Sequence, residues 1–341
     1  MSPSWLRFGS FELHQKQKNT RYVHQLMSYA VRWYFPELLK PSELKVAEDL
    51  QLFMRKSART KEIGRLFLMQ VVERTAKMIA SWNAAGFVHG VLNTDNMSIL
   101  GLTIDYGPFA FIDTYRADHL SNLSDDEKRY SLDMQRDLGQ WNLKQFSDSM
   151  LSILDISTQI VCLAEYFDIF KNHQQMLMNA RLGFEGEPSA VDETLTVALL
   201  EIMEMAKLDY NHFFRVLSSH LSDSLKPPAS IERHFKGDKD SLDLFSSWWQ
   251  FLAKRREMTG LTVARQRRAM KKNNPIYVLR NHIAQKAIED AEAGDFGTIR
   301  TLRRILANPF SKDPLLSPQE QLFYSSPPPE NHVPVPISCS S

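Results

Sequence analysis

Three side chains in the first third of this 341-residue sequence are of the types that hold a divalent cation and move a proton: Asp95, Asn96 and Asp105. Asn96 follows His89 by seven residues in the run His89-Gly90-Val91-Leu-Asn-Thr-Asp95-Asn96, and Asp105 opens the triplet Asp105-Tyr106-Gly107. Magnesium takes oxygen ligands and keeps part of its water shell, so one amide oxygen and one carboxylate are a sufficient contribution from the chain. Asn96 and Asp105 are the expected ligands for Mg2+, with Mn2+ as the alternative. Asp95 is the only carboxylate within this loop that could accept a proton as general base.

Those groups must be brought together by the elements around them. Met97 to Leu100 and Leu102 to Ile104 are short apolar runs on either side of Gly101, and Phe109 to Ile112 is a third. Their length and strand-forming residues predict a small β hairpin. Upstream, residues 61 to 82 have helical spacing, with Leu68, Val71, Val72, Ile79 and Trp82 on one face and Glu73, Arg74 and Lys77 on the other. Gly86 is the expected stop for that helix. A long helix, His-Gly, an asparagine, a hairpin and Asp-aromatic-Gly, in that order, is the layout by which protein-kinase-like scaffolds hold nucleotide phosphates.

Taken singly, the pieces are ordinary. Asp95-Asn96 would serve to cap a turn, and Asp105-Tyr106-Gly107-Pro108 would serve as a β-turn. Their ordered combination is what points to a site. One position departs from the kinase pattern, because Val91 occupies the place of the catalytic aspartate and can neither accept a proton nor orient a hydroxyl. A conventional γ-phosphoryl transfer is therefore the weakest reading.

Elsewhere the chain reads as mainly α. Residues 20 to 40 have helical spacing ended by Phe35-Pro36, and a polar, basic stretch runs from there to about Lys61. Further helices are expected over 141 to 168, 189 to 221 and 242 to 258. Leu279, Ile283, Ala287 and Ala291 repeat at fours, Gly294-Asp295 breaks the run, and Ile299, Leu302 and Leu306 resume it before Pro309. Residues 311 to 341, with Pro327-Pro328-Pro329 and many serines, read as a flexible tail. The expected division is 1–60 as a leading segment with helices, 61–225 as a kinase-like C-lobe, 226–310 as a helical C-terminal extension, and 311–341 as the tail.

Composition narrows the field. The chain is 43% hydrophobic and 24% charged with a net charge of +1, enough for a sizeable core and without a global pull toward nucleic acid or anionic membrane. No apolar run approaches the roughly 20 residues that cross a bilayer. Neither a nucleic acid nor a membrane is an expected partner. Lys254-Arg255-Arg256 and the stretch Arg265 to Lys272 read as a solvated helix face. Of the two cysteines, Cys162 sits in an apolar run as a small buried hydrophobe and Cys339 lies in the polar tail, so no disulfide framework or zinc spacing is present.

The segment Phe87-Val-His-Gly-Val-Leu-Asn-Thr-Asp-Asn-Met-Ser-Ile-Leu-Gly-Leu-Thr-Ile-Asp-Tyr-Gly-Pro-Phe-Ala-Phe-Ile-Asp113 closely resembles the selenoprotein O family. The likeness extends to Leu6-Arg-Phe-Gly-Ser-Phe-Glu12, Val72-Glu-Arg-Thr-Ala76, Asn274-Pro-Ile-Tyr-Val-Leu-Arg-Asn281, Ala284-Gln285 and Gly294-Asp295-Phe296. The resemblance implies a protein-kinase-like fold that binds ATP in an inverted orientation and transfers AMP to Ser, Thr or Tyr hydroxyls of proteins. By position it makes Asp95 the proton acceptor, Asn96 and Asp105 the metal ligands, and Arg7 one of two arginines on the nucleotide phosphates. A planar guanidinium fork suits that task. The second arginine, the glycine-rich loop and the ATP-contacting lysine of the family would precede Met1, so the resemblance implies a chain without its N-lobe and with reduced or no activity. The alternative is a non-catalytic, pseudokinase-like fragment that keeps partner contacts. Eukaryotic members are mitochondrial, which makes that the expected compartment, with the cytoplasm as the alternative. Vertebrate-type members carry selenocysteine just past a Cys-Ser-Ser like Cys339-Ser340-Ser341, so truncation at that codon and a natural ending both remain open. Ser121 occupies the place of an activation-loop cysteine found in many bacterial members.

Overall fold

The computed structural model describes residues 2–54 and 57–329. The expected position of Cys339 and the chain end lie outside the described residues. The described chain is mainly helical and divides into two compact units. The first comprises Met1–Ser81, Val91–Gly107 and Met134–His173; the second comprises Trp82–Gly90, Pro108–Asp133 and Gln174–Ser341.

The elements follow in chain order. Helices α1 (Phe8–Lys16), α2 (Thr20–Tyr34) and α3 (Pro41–Glu48) lead to the long α4 (Ala58–Ala85), which ends at Gly86 with φ +70°. Strand β1 (Phe87–Val88) pairs antiparallel with β2 (Ala110–Phe111), Phe87 opposite Phe111. Then come α5 (Met134–Asp148), α6 (Ile156–Arg181), α7 (Ala190–Met205), α8 (Tyr210–His220), α9 (Ala229–Glu232), α10 (Lys239–Met258), α11 (Val263–Asn273), α12 (Asn281–Glu292), α13 (Gly297–Ala307) and α14 (Pro318–Ser325).

Within the first unit the expected stripe of α4 is buried at Leu68, Val71, Val72 and Ile79, while Glu73 and Lys77 pair on the outer side at 2.5 Å. Aromatic rings fill the centre. Phe8 stacks on Phe146 at 4.7 Å, Phe11 and Phe67 meet the same ring edge-on at 5.1 and 6.0 Å, and Phe35 meets Phe67 at 5.0 Å. Such pairs add to the burial of their area and fix α1, α4 and α5 against one another. Cys162 is fully buried, and that burial pushes its thiol up.

The second unit has a separate core of Leu195, Leu199, Phe213, Phe245, Trp248 and Trp249 with their neighbours, and a smaller one of Tyr277, Ile283, Ala287, Leu302 and Ile305 under α12 to α14. Tyr277 is structural: its hydroxyl donates to Gln321 Oε1 at 2.6 Å and accepts from the Asp313 N–H at 3.0 Å.

Five expectations need correction. The hairpin over 97 to 104 is a single antiparallel bridge, Met97 to Thr103, and the run at 109 to 112 pairs instead with Phe87-Val88. The helix expected over 141–168 is broken between α5 and α6, where Asp155 Oδ1 accepts from the Thr158 N–H and from both the Ser157 and Thr158 hydroxyls to start α6. The one expected over 189–221 is broken between α7 and α8, where Asp209 accepts the His212 N–H at 2.8 Å. The tail contains α14, begun by a reciprocal cap in which Ser317 N–H donates to Glu320 Oε2 and Glu320 N–H to Ser317 Oγ. The basic stretch also divides. Arg255 makes a two-bond pair with the buried Asp192, and Arg256 is 5% exposed, whereas Arg265, Arg268, Lys271 and Lys272 are solvated. Among the described residues no helix is long and apolar enough to cross a membrane.

Candidate active site

The four residues singled out in the sequence, Arg7, Asp95, Asn96 and Asp105, all belong to the first unit. Its local scaffold is a ladder of three short segments. Met97 bridges Thr103 antiparallel, so residues 95 and 96 leave the bridge at the same end as residue 105. On the other side Arg7 bridges Ser98, the Phe8 N–H donates to Met97 O at 2.9 Å, and the Ile99 N–H donates to Leu6 O at 3.3 Å. Met97, Ser98, Ile99 and Ile104 are buried, so the ladder is anchored by its own side chains.

The turn at the far end of the ladder closes with the Gly101 N–H donating to Ser98 O at 3.1 Å. Gly101 has φ +64°, and a β-carbon there would lie 2.7 Å from both the Arg74 carbonyl oxygen and its Cβ. The turn therefore sits directly on the backbone of α4, and only glycine fits.

The loop carrying Asp95 and Asn96 is a single 3-10 turn, Thr94–Asn96, capped by Asn93 Oδ1, which accepts from the Asp95 N–H at 3.0 Å. Asn96 is buried, and its Nδ2 donates to Val91 O at 2.8 Å. That bond uses the amide's donor end on the main chain and leaves Oδ1 as the end able to accept a cation. Val91 thus contributes its carbonyl rather than a side chain. Behind the loop, the fully buried Asn142 of α5 donates to Leu92 O at 3.0 Å and Leu138 O at 2.9 Å. Thr94 Oγ1 donates to Glu12 Oε2 at 2.7 Å. Burial pushes the Glu12 carboxyl up, but hydrogen bonds from Lys16 and Thr94 outweigh it and hold it below its ordinary range.

Asp105 is exposed and adopts φ +56°, a left-handed backbone that few residues other than glycine take, aspartate and asparagine among them. Backbone held in such a region concentrates where function over-determines it. Among the described residues the side-chain charges of Arg7, Asp95 and Asp105 have neither an ion pair nor a hydrogen-bond partner, although the backbone under each is fixed. Among the same residues no three His, Cys, Asp or Glu side chains gather as a metal cluster. Sequence reasoning missed Asn93, Asn142 and Glu12. The first had a signal, an asparagine at the start of a short polar turn; the other two act across long sequence separations that no local pattern encodes.

The family model described as Protein adenylyltransferase SelO matches residues 1–307. The chain belongs to the SelO family. Among relatives, Protein nucleotidyltransferase YdiU of Pseudomonas fluorescens (strain Pf0-1) is 36% identical over 342 residues, covering 100% of this chain and 64% of its own length. The proteins of the same name from Myxococcus xanthus, 36% identical, and Azotobacter vinelandii, 34% identical, are likewise covered over 64% of their length and 100% of this chain. The chain thus spans about two thirds of the SelO relatives it matches, by their 64% coverage. These relatives are bacterial, which gives the expected mitochondrial location no support.

Proposed function

We propose that this SelO-family chain carries the metal-binding and proton-accepting half of a protein adenylyltransferase site on a protein-kinase-like C-lobe. In the proposed reaction a Ser, Thr or Tyr hydroxyl oxygen of a protein attacks the α-phosphorus of ATP. The bond from that phosphorus to the β-phosphate oxygen breaks, pyrophosphate leaves, and the hydroxyl proton passes to Asp95. Asn96 Oδ1 and the Asp105 carboxylate would hold Mg2+ or Mn2+. When bound, that cation supplies charge neutralisation at the phosphates as they pass through the transition state. Arg7, half-buried and without a partner among the described residues, would bind phosphate oxygens.

One observation carries the reading. Asp105 holds a left-handed backbone at the open end of the bridge from which Asn96 also emerges, with the Asn96 donor already committed to Val91. The valine at 91 favours transfer of AMP over transfer of the γ-phosphoryl group, because the kinase base is missing and the adjacent carboxylate is Asp95. Labelling the chain with ATP carrying radiolabel at the α- or the γ-phosphate tests this. Protein-bound label from the α-position alone is expected. Label from γ alone would refute the proposal in favour of a kinase, and label from neither would refute it in favour of an inert partner-binding chain.

A further inference from the structure

Helix α1 approaches the loop at 93–96 more closely than packing requires. Gly9 is the second residue of α1, and a β-carbon there would lie 2.0 Å from Asp95 Oδ1 and 3.1 Å from its carboxyl carbon. Non-bonded atoms do not approach to that distance, so any side chain at residue 9 would drive the Asp95 carboxylate out of its place. One turn further, Glu12 Oε2 accepts the Thr94 hydroxyl at 2.7 Å, and the Glu12 side chain is 15% exposed. The helix making these two approaches is itself fixed, with Phe8 and Phe11 fully buried against the ring of Phe146.

We propose that Gly9 and Glu12 are positioning residues for AMP transfer: Gly9 leaves the space that the Asp95 carboxylate occupies, and Glu12 holds the residue before it through Thr94. The proposal rests on Asp95 being the proton acceptor. The pair also sets direction. Asp95 has no hydrogen bond of its own to keep its side chain in place among the described residues, so the shape of α1 does so. Misplacement of a reacting group by about 1 Å can cost about 10²-fold in rate.

The steric claim is tested without turnover. Gly9→Ala is expected to lower Tm by about 2–4 °C in the otherwise unchanged chain. In an Asp95→Ala background the same substitution should leave Tm unchanged or raise it, since alanine is the better helix former once the carboxylate is gone. Equal losses in both backgrounds would overturn the placement. For the functional claim, α-labelled ATP should show kcat reduced about 10²-fold by Gly9→Ala with KM for ATP within about twofold. Glu12→Gln, which still offers an acceptor to Thr94, should retain most of the rate while Glu12→Ala loses about tenfold, a loss of the size of one hydrogen bond. A change confined to KM, or equal losses for Gln and Ala, would overturn the positioning roles. Undiminished transfer by Asp95→Ala would instead refute the reaction itself, and the Tm comparison would still decide the Gly9–Asp95 contact on its own.

Discussion

Two aspartates eight residues apart, Asp105 and Asp113, belong to different units and live under opposite rules. Asp105 is exposed, has no partner among the described residues, and sits on a strained backbone. Asp113 is ion-paired with Arg280, whose side chain is 3% exposed and which also forks onto Asp209 with bonds of 2.7 and 2.9 Å. Arg280 is the N-cap of α12 and Asp209 that of α8, so one guanidinium ties two helix starts to the strand end at Asp113. The first carboxylate is kept available at a cost in backbone energy; the second is consumed by the fold. Charge alone therefore does not mark a site. A fixed backbone beneath an unsatisfied charge is what sets Asp105 apart as a candidate.

The largest effect should come from breaking the consumed pair. Arg280→Met leaves two carboxylates facing each other with no cation, and is expected to destabilise the chain by about 3–5 kcal/mol in a urea titration. A loss under about 1 kcal/mol would erase the contrast. Next comes Asp105→Asn, which keeps shape and left-handed tolerance but removes the charge. AMP transfer should fall about 10²–10³-fold, or about 3–4 kcal/mol of barrier, while the urea midpoint stays put. A substantial shift of that midpoint would make Asp105 a structural residue after all.

The smallest effect is one of pH. Burial, with His212, Arg233 and His220 close by, lowers the His234 imidazole from 6.5 to about 4. Between those values the unfolded chain binds more protons than the folded one, so stability is complete above about pH 6.5 and is lost as the pH falls toward 4. His234→Phe should flatten the dependence of Tm on pH in that window by about 2–4 °C. An unchanged slope would assign it to other groups.

Much of the fold and of the candidate site is legible in the sequence, for identifiable reasons. The stripe of α4 and the pair α12–α13 announce themselves because apolar residues recur at helical spacing beside a glycine stop. The order His89, Asn96, Asp105 is legible because chemistry fixes both residue type and spacing. The breaks at 149–155 and 206–209 are hidden because apolar residues run straight through them. At the second break the left-handed residue is Lys207, φ +51°, where a glycine would have been noticed. The caps Asp155, Asp209 and Ser317-Glu320 are local signals that outrank the apolar continuity around them. The contraction of the hairpin to one bridge has another cause: its outer residues bond to Leu6 and Phe8, some 90 positions earlier, and no local pattern reports such a partner.

The seat of Gly101 on Arg74 has a mechanical consequence. The Arg74 backbone and its Cβ, an atom every residue but glycine carries, set the height of the turn above α4, and Asn96 and Asp105 leave the opposite end of the bridge that this turn closes. Surface residues of α4 can drift in sequence without moving the seat of the turn that carries the two candidate ligands. A bend or axial slide of α4 near Arg74 would be delivered to them undamped, which makes that stretch of helix the lever through which motion elsewhere would reach the site.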